Sequence, residues 1–416
     1  MKRVILVVCD GLGRDWLGKG HTPFIDGCLR TGLRPADHRA VFPSVTRVSA
    51  ASIATGCFPG SHGLYGNQVA LMEQGRLVVS DVGLPGFVAH LRAVTGHALR
   101  RRTMADRLAA AGLRQVAYSN VSAGAAYFLD PEHSGWVLHR SGSYGPGGVA
   151  LQGAEHLAIS HDLDGDCAMT ERFYTQVVPD NDIAVGILWL ANPDLTLHHA
   201  ALGGPEHLEA LRVVDSLVEK TLGAVEQARE RADILVGLCS DHGHETIGDA
   251  IHVGRWLASK GLATQIEQGR IAVASQGTAG LIYSTPDARA ALLERLDEMA
   301  LEPWAGRILD VETLRALGLG GDDALAAAVD TAPNARGMPG NRWLVADGEK
   351  APEIGCGHHG GIGPDETRPF LALMHPRVTA AVIEDSTSLP DIAPTLLRFL
   401  GQPCDGMEGR SLIGGE

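Results

Sequence analysis

Four clusters of acidic residues and histidines carry the chemical signal of this chain. Asp10 directly follows the apolar run Val4–Cys9. Asp194 lies in Asn192-Pro193-Asp194-Leu195-Thr196-Leu197-His198-His199, shortly after a second apolar run, Ile183–Leu190. Asp241 and His242 follow a third, Ile234–Cys239, in Cys239-Ser240-Asp241-His242-Gly243-His244. The fourth cluster is Gly357-His358-His359-Gly360-Gly361. Carboxylate oxygens and imidazole nitrogens without thiolates suit a catalytic Zn²⁺ and admit Mn²⁺. Each cluster alone has a plain structural reading, such as a turn-forming acid or a helix cap. Four of one chemistry in one chain, three of them after apolar runs, point to a metal centre.

A hydroxyl-rich stretch adds a nucleophile. Phe42-Pro43-Ser44-Val45-Thr46-Arg47-Val48-Ser49-Ala50-Ala51-Ser52-Ile53-Ala54-Thr55-Gly56 predicts a short helix starting near Thr46. A hydroxyl at a helix N-terminus, and any phosphoryl group it carries, is stabilised by the positive end of the dipole. Bound to a metal, such a hydroxyl can ionise near neutral pH and attack. The plain alternative is that Thr46 only caps its helix.

These residues must be brought together by the elements between them. Continuously apolar strands that alternate with helical patterns predict an α/β fold, with a mostly parallel central sheet flanked by helices. Thr22-Pro23 opens a helix through about Arg30, and Thr103 caps another through Ala111. Gly204-Pro205 starts a long one, with Leu208, Leu211, Val214, Leu217, Val218, Leu222 and Val225 at helical spacing. Pro369–Leu373 reads as a late strand and Asp391–Leu400 as a final helix. In an open parallel sheet, ligands bind beyond the carboxyl ends of the strands. Residues 251–351 have a different texture, with short strands at Arg270–Val273 and Gly280–Tyr283 and helices at Asp287–Met299 and Val311–Leu317. They are read as a smaller α+β cap domain, and residues 1–250 and 352–416 as the core.

Composition bounds the partners. Asp and Glu number 49 against 35 Lys and Arg, a net charge of −14, so the chain is ill suited to wrap a nucleic-acid polymer or an anionic membrane. No stretch reaches the roughly 20 apolar residues of a membrane helix. The N-terminus lacks the features of an export signal. Cys9, Cys28, Cys57, Cys167, Cys239, Cys356 and Cys404 are scattered and read as reduced thiols. The expectation is a cytoplasmic protein acting on a small molecule; nothing in the sequence fixes its oligomeric state.

The motifs in their order resemble the alkaline phosphatase superfamily. Within it they resemble the type I phosphodiesterase/nucleotide pyrophosphatase group, which also contains phosphonoacetate hydrolase. The resemblance runs from Val4-Ile5-Leu6-Val7-Val8-Cys9-Asp10-Gly11, through Thr46, Thr55-Gly56 and His62-Gly63, to Gly360-Gly361 and the Asp391–Leu412 tail. It implies two zinc sites: Asp194, His198 and His359 hold one ion, and Asp10, Asp241 and His242 the other, with Thr46 as its reacting ligand. Thr46 stands nine residues before Thr55, the spacing of the family's nucleophile. Asn67 takes the place of an asparagine that donates to a phosphoryl oxygen. Related sulfatases have an Arg four residues after the nucleophile, where this chain has Ala50. Related mutases use Ser rather than Thr. The implied activity is hydrolysis of a small-molecule phosphodiester or nucleotide pyrophosphate through a phosphothreonine. The alternatives on the same site are phosphonate hydrolysis and phosphomonoester hydrolysis. Arg47 stands where relatives often carry an aromatic residue, and it can bind a second anionic group. No lysine lies between Asn67 and Asp194. Specificity is expected from residues 251–351 and from about 81–161, with Tyr127 and Tyr144 as aromatic candidates. His199 and His244 are expected behind the ligands or at the surface.

Overall fold

The computed structural model describes residues 1–348 and 353–414. Its centre is a ten-stranded sheet. Four strands in its middle run parallel, in the lateral order Asp233–Cys239, Lys2–Cys9, Ile183–Leu190 and Arg114–Ser119. These strands read as unbroken apolar runs because both faces are covered. Val4, Leu6 and Val8 point into one core with the helices Thr46–Thr55 and Ile392–Phe399. Ile5, Val7 and Cys9 point into the other, against Pro23–Thr31, Leu163–Gln176 and Pro205–Ala228. The late strand is Leu371–Met374, and it runs antiparallel to Asp233–Cys239. The sheet is therefore parallel at its centre and mixed toward its edges.

Register sets the site. Cys9 pairs with Leu190, and Val8 with Cys239, so three adjacent strands end level. Asp10, Asp194 and Asp241 emerge from that one edge. Backbone bonds knit it further: Asp10 N–H to Leu190 C=O at 3.3 Å and Asp194 N–H to Asp10 C=O at 3.1 Å.

Residues 271–331 build a second, antiparallel sheet, in the order Ile271–Ser275, Ala279–Ser284, Leu325–Thr331 and Ala305–Asp310. The helix Pro286–Met299 packs on it through Leu292, Leu296 and Met299. A hairpin, Gln68–Glu73 with Arg76–Asp81, closes the other side, where Val69, Ala70 and Leu77 meet Ala272 and Ala274. The strand Glu245–Ile251 pairs with Asn341–Val345 and with Gly357–His358 in a separate three-stranded sheet. The boundary expected after residue 250 falls inside this strand. The one expected at residues 351–352 lies outside the described residues. Among the described residues no helix is long and apolar enough to cross a membrane.

Candidate metal centre

The Thr46 helix starts at Thr46 itself, with Val45 as its N-cap, and the Thr46 hydroxyl makes no capping bond. Its Oγ1 instead lies 3.1 Å from His242 Nε2 and 3.4 Å from Asp10 Oδ1. The helix is built from small residues and is buried apart from Arg47, which lets it lie close to the sheet. Its far end stops at Gly56 in the left-handed conformation, whose carbonyl accepts from Glu408 N–H (2.9 Å) and Gly409 N–H (3.0 Å). The C-terminal tail thus fixes the helix that carries the hydroxyl.

Around Thr46 the strand-end residues form one continuous cluster. His242 Nε2 is 3.4 Å from Asp10 Oδ1 and 3.3 Å from Asp241 Oδ2. Asp194 faces three histidines: His244 Nε2 at 2.9 Å, His359 Nε2 at 3.3 Å and His198 Nε2 at 3.4 Å. The His242 and His359 rings stack at 3.7 Å, linking the two halves. Asp10, Asp241 and His242 are sealed from solvent, whereas the Asp194 and His198 side chains are 15% and 27% exposed. The open half faces a cavity of about 230 Å³, lined in part by Arg47, Asn67, His198 and His359.

His244, expected behind the ligands or at the surface, stands within the cluster, its Nε2 on Asp194. It is buried, and with Asp194, His242 and His359 it forms one of two groups whose donor atoms lie close enough to share an ion; Asp10, Asp241 and His242 form the other. His-x-His around a glycine was the available signal. His199 is 65% exposed and pairs with Glu353 at 3.3 Å.

The ring tautomers show what the cluster requires. Nδ1 of His242 faces the Gly243 carbonyl (3.1 Å), that of His244 the Gly11 carbonyl (3.1 Å), and that of His359 the Ser44 carbonyl (2.8 Å). A carbonyl only accepts, so each Nδ1 carries the proton and each neutral ring turns an Nε2 lone pair inward. Burial keeps the rings neutral, holding His242 at about 3 and His244 and His359 at about 4. Those lone pairs face carboxylates. Burial, then the charge of Asp194, pushes Asp241 up to about 7. Burial, then the charges of Asp241 and Asp194, raises Asp10 well above the usual range. Burial opposes the charge on Asp194, yet His198, His244 and His359 hold that carboxyl well below its ordinary value. Asp241 Oδ2 is buried without a hydrogen-bond partner. Lone pairs aimed at carboxylates, and a buried carboxylate oxygen without a donor, are reconciled by divalent cations. The residues therefore fit a metal centre.

Two glycines allow this crowding. At Gly11 (φ 67°) a Cβ would stand 2.3 Å from His244 Cε1, and at Gly360 (φ 125°) it would stand 1.5 Å from the Gln276 carbonyl oxygen. Neither position admits a side chain.

Asn67 and Arg47 sit at the mouth. Gln276, buried in the loop between the strands Ile271–Ser275 and Ala279–Ser284, accepts from Asn67 N–H (2.6 Å) and donates to the Gln68 carbonyl (2.7 Å). The Asn67 carboxamide itself makes no hydrogen bond among the described residues, and its Oδ1 is buried. Arg47 donates to the Asn67 carbonyl (2.9 Å) and Ser122 Oγ (3.2 Å) and pairs with Asp81 (3.1 Å). Tyr127 and Tyr144 do not line this cavity. Their hydroxyls donate to the carbonyls of Gly142 (3.1 Å) and Asp130 (2.7 Å), so the fold itself uses their polar ends.

The model of the type I phosphodiesterase/nucleotide pyrophosphatase family matches residues 4–352. Murine ectonucleotide pyrophosphatase/phosphodiesterase 5, solved as an inactive threonine-to-alanine variant in complex with AMP, superposes with a TM-score of 0.72 at 16% identity. The alignment covers 98% of this chain and 97% of that one. The human counterpart gives a TM-score of 0.69 at 15% identity, over 98% and 97% of the two chains. Likeness at this identity is a likeness of fold. Comparison with curated protein sequences gives no match. The family match spans most of the chain and every strand end that carries the cluster up to Asp241: the protein belongs to the type I phosphodiesterase/nucleotide pyrophosphatase family of hydrolases.

Proposed function

We propose that the protein is a two-metal phosphodiesterase that cleaves a small-molecule phosphodiester or nucleotide pyrophosphate through a phosphothreonine on Thr46. The observation that carries this reading is the aim of Thr46 Oγ1. It points at His242 and Asp10, within 3.4 Å of both, instead of capping its own helix. The inactive threonine-to-alanine form of the murine relative supports a threonine in this role.

Asp194, His198 and His359 would hold one divalent ion, with His244 beside them. Asp10, Asp241 and His242 would hold the other, with Thr46 as its reacting ligand. The nitrogen and oxygen donors suit Zn²⁺ best and admit Mn²⁺. Bound ions of this kind lower the pKa of a coordinated hydroxyl and neutralise the phosphoryl oxygens.

The protein's own residues do the rest. Thr46 Oγ attacks phosphorus in line and gives up its proton, and the opposite oxygen leaves, as an alcohol from a diester or as a phosphate from a pyrophosphate, with that proton balancing the step. Water then displaces Thr46 in a second in-line step. The free amides at the start of the Thr46 helix and the uncommitted Asn67 carboxamide face the phosphoryl oxygens as hydrogen-bond donors. Arg47, anchored to the Asn67 carbonyl, keeps Asn67 in place and presents its remaining face to a second anionic group.

A substrate comparison on zinc-loaded protein tests the reaction class. Bis(4-nitrophenyl) phosphate is expected to show a kcat/KM at least about tenfold above those of 4-nitrophenyl phosphate and phosphonoacetate. A preference for the monoester or the phosphonate would overturn the diester assignment.

A further inference from the structure

The cavity over the metal cluster, about 230 Å³, adjoins a larger one of about 820 Å³. Gln68, Ser275, Val345 and Asp347 line both, so the two spaces share one wall. The outer cavity lies between the Gln68–Asp81 hairpin and the Ile271–Ser275 strand. Most of its wall is aliphatic, from Leu77, Val79, Ile266, Ile271, Val273 and Val345, with His252, Arg255 and Asp347 among its polar members. Val79 is left 40% exposed on this face. Half-buried Gln68 donates to the exposed Asp347 across the shared wall and accepts from Ser275 N–H (3.2 Å) on the same wall.

The lining decides what fits. Among the described residues no Phe, Tyr or Trp lines either cavity. A nucleobase is ordinarily gripped by stacking on such rings. Aliphatic walls instead reward methylene groups in proportion to the area they remove from water. The volume is that of a ligand-sized site. Asn67 and Gln68 both line the inner cavity, and Gln68, the first residue of its strand, lines the outer one as well.

We propose that the outer cavity binds an aliphatic ester group of the substrate, so that the preferred substrates are phosphodiesters carrying an alkyl chain. The inference rests on the phosphodiesterase reading of the site and narrows its substrate class. The test uses zinc-loaded protein and alkyl 4-nitrophenyl phosphates from methyl to octyl, with binding of the matching alkyl phosphates followed by calorimetry. From methyl to octyl, kcat/KM and the affinity of the alkyl phosphates are each expected to rise by at least about tenfold. Val79→Asp should remove that rise and leave the methyl ester unchanged. Val273→Ser, on the other strand, repeats the test should Val79→Asp fail to fold. A flat dependence on chain length, or a nucleoside 5′-(4-nitrophenyl phosphate) favoured over the octyl ester, would overturn the proposal. Tighter binding of octyl phosphate without hydrolysis of any diester would uphold the cavity assignment and overturn the phosphodiesterase reading.

Discussion

Thr46→Ala is expected to lower diester turnover by at least about 10³-fold while the protein keeps its metal content and its fold. The loss is large because Thr46 makes the bond to phosphorus; among the described residues no other hydroxyl hydrogen-bonds His242 Nε2 or Asp10 Oδ1. The retained metal is the discriminating half of the result. Asp10, Asp241 and His242 remain, and the substitution removes two polar contacts, to Asp10 and His242, from a helix held by its other buried residues. Thr46→Ser, which restores a hydroxyl at the same position, should recover a measurable part of the rate. Full activity in the alanine variant would remove Thr46 from the mechanism.

Stripping the metal is the second large effect. Dialysis against a chelator should abolish turnover, by more than about 10³-fold, and added Zn²⁺ should restore it. The same treatment should destabilise the protein in a pH-dependent way, and the sign follows from Asp241. Burial raises this carboxyl from 3.8 to about 7 in the metal-free fold, so the folded chain holds its proton more tightly than the unfolded one. Its contribution to metal-free stability is therefore fully present below about pH 4 and is lost as the pH rises to about 7. Metal binding works in the opposite direction, because the carboxylate must lose its proton to act as a ligand. The gap in melting temperature between zinc-loaded and chelated protein should widen from about pH 5 to about pH 8. A gap that narrows over that range would contradict the arrangement of buried acids described here.

Much of this site was legible from the sequence for one physical reason. A strand buried on both faces must be apolar along its length, so an acid directly after it marks a strand end, and a parallel sheet gathers its strand ends at one edge. Asp10, Asp194 and Asp241 follow from that rule. The Thr46 helix follows from its small residues and the glycine that ends it. What escaped has equally physical causes. The Gln68–Asp81 hairpin turns at Gln74 and Gly75, both with positive φ, and its Glu-Gln-Gly-Arg turn lacks the Asn-Gly or Asp-Gly pair that advertises such hairpins. The helix Leu163–Gln176 is mostly polar and showed no apolar stripe. Gln276 and Gln68 act at the site through contacts with each other's neighbourhoods some two hundred positions away, which no local pattern encodes. His244 reads from sequence only as a residue behind the ligands or at the surface, because two imidazoles one residue apart need not share a site; the tight turn at Gly243, packed against the Asp365 carbonyl, brings both inward. Tyr127 and Tyr144 were read as ligand-binding rings, but burial with carbonyl partners makes them part of the wall that supports the neighbouring strands.

The account stands on a covalent step at Thr46, and the stereochemistry at phosphorus tests it most directly. The substrate is a phosphorothioate diester chiral at phosphorus, hydrolysed in isotopically labelled water by the zinc-loaded protein. Two successive in-line displacements, the first by Thr46 and the second by water, predict net retention of configuration. Net inversion would mean that water attacks the diester directly, and would contradict the phosphothreonine mechanism.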